Sequence, residues 1–233
     1  GRIVRAFDRG HEWLRWHPLG SGLVPRVDRW LGEGFLDRIP SAHVTTFGDP
    51  AGIAWSQDLV DVYALQRWKV LGSLKHALKE DFDFVYFTTA SSYVNVERLI
   101  QVIYGLPRSD VYAGTPLTDA LSGCKFASGA NRVLSRDVAE AVVEGSERYR
   151  NDVLEDVGLG RAISDLGYQL VPLPTLNLAS EGALLELTRQ QLATNFHYRL
   201  TSWSGKFRND VVLMTRLHEK IQALKMCGEL DDA

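Results

Sequence analysis

Between positions 55 and 78 the apolar residues Trp55, Leu59, Val62, Tyr63, Val70, Leu71, Leu74 and Leu78 recur at steps of three, four and seven or eight. That is one face of a long helix, predicted over 56–79. The period then changes. Phe82-Asp83-Phe84-Val85-Tyr86-Phe87-Thr88 is short, aromatic and β-branched, which predicts a strand over 83–88. An earlier strand signal covers 43–48 and stops at Gly48-Asp49-Pro50. Further on, the two periods keep alternating. A helix over 95–105 carries Val96, Leu99, Ile100 and Ile103, and strands follow at 111–114 and 125–129. A helix over 135–143 has Ser135 as its N-cap, and one over 153–166 is closed by Gly167 in the C′ role before a strand at 168–172. Alternation of this kind predicts an α/β layer fold. The first forty residues, with Trp13, Trp16 and Trp30 among glycines and prolines, read as turns with little regular structure. Past the last strand come a polar loop near 174–190, a basic and aromatic segment at 195–208 and a final helix from about 210 to 224.

Composition narrows the function classes. The chain has 233 residues, 45% apolar and 24% charged, with 26 Lys+Arg against 29 Asp+Glu, a net charge of −3. No basic field exists to neutralise a phosphate backbone, so a nucleic-acid partner is not expected. Cys124 and Cys227 are far apart and lack ligand-like spacing, so neither a disulfide framework nor a zinc site is expected. No stretch reaches the 18 or so apolar residues of a membrane span. The expected location is cytoplasmic, with membrane association only through a segment upstream of Gly1.

The first chemistry-bearing feature is the switch from strand to helix around residue 89. Thr89-Ala90-Ser91-Ser92, small and mostly hydroxylic, follows the strand that ends at Thr88 and precedes a helix. This is how an α/β sheet presents a binding loop at the carboxyl ends of its strands. Around it stand Asp61, Tyr63 and Lys69 in one segment, Thr88, Val94 and Asn95 in the next, Ser128-Gly129-Ala130-Asn131 before Ser135, and Leu154-Glu155-Asp156-Val157-Gly158. Together these resemble the β1,3-glycosyltransferase and Fringe-like families of GT-A fold, over about residues 43–172. The resemblance implies a single GT-A-like domain over 1–233, with a mixed, mainly parallel sheet flanked by helices and with 174–233 as an extension closing the donor site.

It also implies a nucleotide-sugar donor, a glycan or glycoconjugate acceptor and transfer with inversion. By motif position Asp156 is the general base, with Glu155 in reserve, because a neutral hydroxyl needs a carboxylate to accept its proton as it attacks. From the residues alone, both are equally first-turn acids favoured by the helix dipole, with Asn151 or Asp152 as cap. One departure is decisive for the metal. Where these families place Asp-x-Asp to hold Mn²⁺ or Mg²⁺, this chain has Thr89, Ala90 and Ser91, which cannot replace hard anionic ligands. A metal-independent transferase without cofactor is therefore expected, its diphosphate held by Lys69, Thr89, Ser91, Ser92, His197, Arg199, Lys206 and Arg208. The alternative is a glycan or nucleotide-sugar binding module that lost its catalysis.

Overall fold

The structure, a computed structural model, describes residues 3–8, 43–46, 66–150, 153–200 and 210–227, the first two segments as backbone only. In chain order the elements are β1 Ile3–Asp8, β2 His43–Thr46, α1 Gln66–Ala77, β3 Phe84–Thr89, β4 Ser92–Val94, α2 Val96–Tyr104, β5 Tyr112–Thr118 and β6 Lys125–Ser135. They continue with α3 Arg136–Glu144, α4 Glu155–Asp165, β7 Leu170–Pro172, β8 Leu176–Asn177, α5 Glu181–Leu185, α6 Arg189–Thr194, β9 His197–Arg199 and α7 Asp210–Met226. The chain divides into two compact units, Gly1–Ala90 with Pro107–Leu173, and Ser91–Leu106 with Pro174–Ala233. Residues 174–233, expected as an extension, thus fall in a unit that also takes in Ser91–Leu106.

The first unit is built on a six-stranded sheet of order β2-β1-β3-β6-β5-β7. β1 and β3 are parallel, as are β5 and β7, while β1 with β2, β3 with β6 and β5 with β6 are antiparallel. The sheet is mixed, as expected, but it is not mainly parallel: three of its five pairings among the described residues are antiparallel. The cause lies in β6, which was expected to end near Gly129 but runs on to Ser135. β5 and β6 are joined by a short hairpin turn, and a hairpin permits only antiparallel pairing. β1 corrects a second expectation, since residues 3–8 form a strand inside the segment read as irregular.

Helix α1 forms where the apolar face was read, with Val70, Leu71, Leu74 and Ala77 buried; residues 56–65 of the expected helix lie outside the described residues. This face packs with Val85 and Leu134 of the sheet and with Val138, Leu159 and Ile163 of α3 and α4. Burying side chains of this size is worth about 1.5–3 kcal/mol each, the main force holding the layers together. Ser135 occupies the N-cap of α3, but its hydroxyl accepts from the Val111 amide at 2.9 Å and donates to Asp137 at 2.6 Å. The helix end is thereby tied to the first residues before β5. α4 ends as the sequence predicts: Gly167 takes φ 96°, its amide bonds Ser164 O at 2.9 Å, and the Tyr168 amide bonds Ile163 O at 3.2 Å. That paired closure satisfies carbonyls the helix would leave open.

The second unit carries a three-stranded sheet of order β4-β9-β8, with β4 antiparallel and β8 parallel to β9. Its core gathers Leu178, Leu184, Leu192, Tyr198, Leu213 and Leu217. The segment expected as a polar loop over 174–190 instead contains β8, α5 and the start of α6. Leu176, Leu178, Leu184 and Leu187 supply its apolar anchors, and Thr188 with Gln191 closes a capping box on α6. The Lys220 ammonium donates to the carbonyls of Leu184, Leu185 and Leu187 at 3.0–3.2 Å, capping the end of α5 from helix α7. Asn95 caps α2 through its side chain, which accepts from the Arg98 amide at 3.3 Å. Among the described residues no helix is long and apolar enough to cross a membrane.

α4 lies unusually close to β6. A Cβ at Gly160 would stand 2.3 Å from the Phe126 Cβ, nearer than carbon atoms can approach. Gly160→Ala is expected to lower stability by about 1–3 kcal/mol, the range for overpacking a tight contact. Urea denaturation should show a reduced midpoint, and an unchanged midpoint would refute the close approach.

Candidate functional site

The amino terminus of α4 brings two of the sequence motifs together. Glu155 and Asp156 are its first two residues, where the dipole favours anions. The Asp156 carboxylate accepts from the Gly129 amide at 3.4 Å and from the Val157 amide at 3.1 Å, and the residue is 4% exposed. A Cβ at position 129 would stand 3.4 Å from Glu155 Oε2 and 3.8 Å from the Asp156 Cβ, so glycine keeps this corner open. The helix starts at Glu155 with Leu154 in the N-cap position, and Asn151 and Asp152, the caps read from the sequence, lie outside the described residues.

Glu155 has a different environment from its neighbour. Arg132 of β6 grips it with both arms of the guanidinium, Nη1 to Oε2 at 3.1 Å and Nη2 to Oε1 at 2.8 Å. Tyr149 donates its hydroxyl to Oε1 at 2.5 Å. The Arg132 side chain is 2% exposed and lies over the Phe87 ring at 4.7 Å. Burial works against the charge on Arg132, but the facing Glu155 outweighs it and holds the guanidinium protonated. Burial, reinforced by Glu155, raises the Tyr149 hydroxyl well above its ordinary range, so it remains a donor. Glu155 is thus engaged on both oxygens by Arg132 and Tyr149, whereas the Asp156 carboxylate accepts from two backbone amides.

The donor-side candidates fall in both units. In the first, Thr89 ends β3, whose Thr88 pairs with Asn131 of β6, and Lys69 is buried in α1. In the second, pairing of β4 with β9 sets Ser92 opposite Arg199 and Val94 opposite His197. Arg199 Nη1 donates to the Ser91 hydroxyl, and the Leu200 amide donates to the Ser91 carbonyl at 2.9 Å. His197 is buried, with Nδ1 at 2.5 Å from the Thr175 hydroxyl. Four candidates from segments over a hundred residues apart therefore converge: Ser91, Ser92, His197 and Arg199. Lys206 and Arg208 lie outside the described residues.

A guanidinium bonded to Ser91 is a poor neighbour for a divalent cation and a good one for an anion. The residues at 89–91 thus do not fit the family's metal by donor type or by surrounding charge. Among the described residues no cluster of three or more His, Cys, Asp or Glu could hold a metal.

Arg132, Tyr149 and Thr175 escaped the sequence reading. Arg132 alone left a signal: a charged residue directly before Val133-Leu134 in a strand is costly to bury unless paired. Tyr149 and Thr175 left none, since their roles depend on partners six and twenty-two residues away. No protein-family model and no curated protein matches the chain.

A second anchored carboxylate lies at the β5–β6 turn, where Asp119 accepts from the Ser122 amide at 3.0 Å, the Ser122 hydroxyl and Arg161 Nη2 at 2.7 Å.

Arg132→Met is expected to destabilise the fold by about 3–5 kcal/mol, because it leaves Glu155 buried and unpaired. The double variant Arg132→Met/Glu155→Leu should recover much of that loss in urea denaturation; equal loss in both would refute the pairing. Asp119 gives a pH prediction. The Ser122 and Arg161 bonds lower its carboxyl from 3.8 to about 2 in the folded protein. Its stabilising share is therefore complete above pH 4 and is lost as pH falls towards 2. Asp119→Asn should flatten that acid limb in a melting-temperature profile, and an unaltered profile would refute the assignment.

Proposed function

We propose that this chain is a GT-A-like glycosyltransferase, moving a sugar from a nucleotide-sugar donor to a hydroxyl of a glycan or glycoconjugate, with inversion and without a divalent metal. The observation that carries this reading is the contact of Asp156 with Gly129. Two short motifs, 27 residues apart, supply a carboxylate and the glycine that admits it against β6. Fold class alone would not license a function.

In this reading Asp156 accepts the proton of the acceptor hydroxyl while the hydroxyl oxygen bonds to the anomeric carbon of the donor. The bond from that carbon to the phosphate oxygen breaks, and the electron pair leaves with the nucleoside diphosphate. Negative charge grows on the leaving group and needs cationic stabilisation in the transition state. Arg199 is suited to it, since a diphosphate oxygen can take the place of the Ser91 hydroxyl on its planar fork. In the same unit His197, Ser91 and Ser92 are the further donor contacts of this reading, with Lys206 and Arg208. Glu155 is assigned to anchoring α4 rather than to proton transfer, because Arg132 and Tyr149 already occupy its oxygens.

One observation favours a second reading, a non-catalytic glycan or nucleotide-sugar binding module. Asp156 is 4% exposed and takes backbone amides on both oxygens, as a purely structural helix-end acid would.

Asp156→Asn decides between them. The variant is expected to keep the melting temperature and the affinity for UDP or GDP measured by titration calorimetry. Donor-sugar turnover should drop by roughly 10²-fold or more. Turnover in the unaltered protein should persist in excess EDTA, and Arg199→Ala should weaken nucleotide binding. Glycan binding with no turnover in the unaltered protein would establish the module instead.

A further inference from the structure

The β5–β6 turn, the carboxyl-terminal half of α4 and the segment leading into β7 line a groove of about 610 Å³ within the first unit. That volume suits a small-molecule site. One accessible aromatic ring, Tyr168, lines it together with the planar polar groups of Arg161, Asp165 and Gln169, while Tyr112, also at its border, is 1% exposed. The exposed Ser164 hydroxyl adds a donor and an acceptor. An aromatic ring beside planar, multiply hydrogen-bonding side chains suits a ring whose two faces are apolar and whose rim is hydroxylated.

The groove is organised before any ligand arrives. Asp119 fixes Ser122 through its amide and hydroxyl and fixes Arg161 at 2.7 Å, so two of the lining residues have little freedom to lose. Its charges also cancel. Arg161 is answered by Asp119, and Lys125 shares the lining with Asp165. Burial raises the Cys124 thiol, which therefore adds no charge at neutral pH. With these charges balanced the groove offers a diphosphate no net attraction, whereas an uncharged polyol needs none.

Position on the helix completes the case. Asp156, Gly160 and Ser164 follow at steps of four and share one side of α4. The groove therefore begins one turn, about 6 Å, beyond Asp156 and extends to roughly 12 Å. We infer that this groove is a carbohydrate subsite, holding an uncharged sugar of the acceptor beyond the unit whose hydroxyl reacts. Its assignment to the acceptor rests on the transferase reading; its preference for carbohydrate rests on the groove itself.

The test is saturation-transfer NMR on the full chain with lactose, cellobiose, chitobiose, mannobiose and, as a charged control, inorganic pyrophosphate. At least one disaccharide should bind and resist displacement by pyrophosphate. Ser164→Trp, which fills the groove, and Tyr168→Ala, which removes a ring, should each weaken it by about tenfold at unchanged melting temperature. Absence of binding by every disaccharide, displacement by pyrophosphate, or full affinity in both variants overturns the subsite. A parallel donor-hydrolysis assay on the unaltered protein separates the two ideas. Hydrolysis without disaccharide binding overturns the groove and spares the transferase. Groove-dependent disaccharide binding with neither nucleotide binding nor hydrolysis keeps the carbohydrate site and overturns the transferase.

Discussion

The buried pair of Arg132 and Glu155 sets the terms for the first unit. A guanidinium and a carboxylate, both out of water, are tolerable only when each satisfies the other with good geometry. The two-armed contact meets that condition, and it requires α4 to approach β6 closely at its first turn. Gly160 follows from it, because a side chain there would meet Phe126. Asp156 follows as well. Once Glu155 is drawn to Arg132, the next residue on the helix is delivered to the Gly129 amide. Such a pair contributes less to net stability than to selecting one arrangement, and here the arrangement selected is that of the candidate base.

The second unit is tied together by contacts between segments far apart in the chain. Arg199 of β9 donates to the Ser91 hydroxyl beside β4, and the Leu200 amide donates to the Ser91 carbonyl at 2.9 Å. Lys220 of α7 closes the end of α5 in the same way, by donating to three backbone carbonyls.

Legibility from sequence followed the range of the forces involved. Helices α2, α3 and α4 were read to within a couple of residues because periodicity and end signals such as Ser135 and Gly167 are local. β3 was readable for the same reason, as a compact aromatic run. β6 was cut short because Gly129 looks like a strand end, when it is the point where a helix arrives from 26 residues further on. β1 was lost because Ile3–Asp8 is stabilised by pairing with β3, some eighty residues away, rather than by anything local. The leucines at 176–187 were hidden among polar neighbours, since their partners lie on α7 and β9. At the site, motif position put Asp156 ahead of Glu155, but the Arg132 and Tyr149 contacts of Glu155 were out of reach because they join residues 23 and 6 positions apart.

The discontinuous make-up of the second unit has a consequence for how the chain comes off the ribosome. β4 and α2 are synthesised early, within an interruption of the first unit, whereas β9, the strand that pairs with β4, begins 103 residues after Val94. At ordinary translation speeds that interval lasts roughly 5–20 s. Throughout it, the strand edge of Ser92–Val94 that β9 later covers is unpaired. The nascent chain therefore carries an open strand edge that the finished protein lacks, and its length of exposure is set by translation rather than by folding.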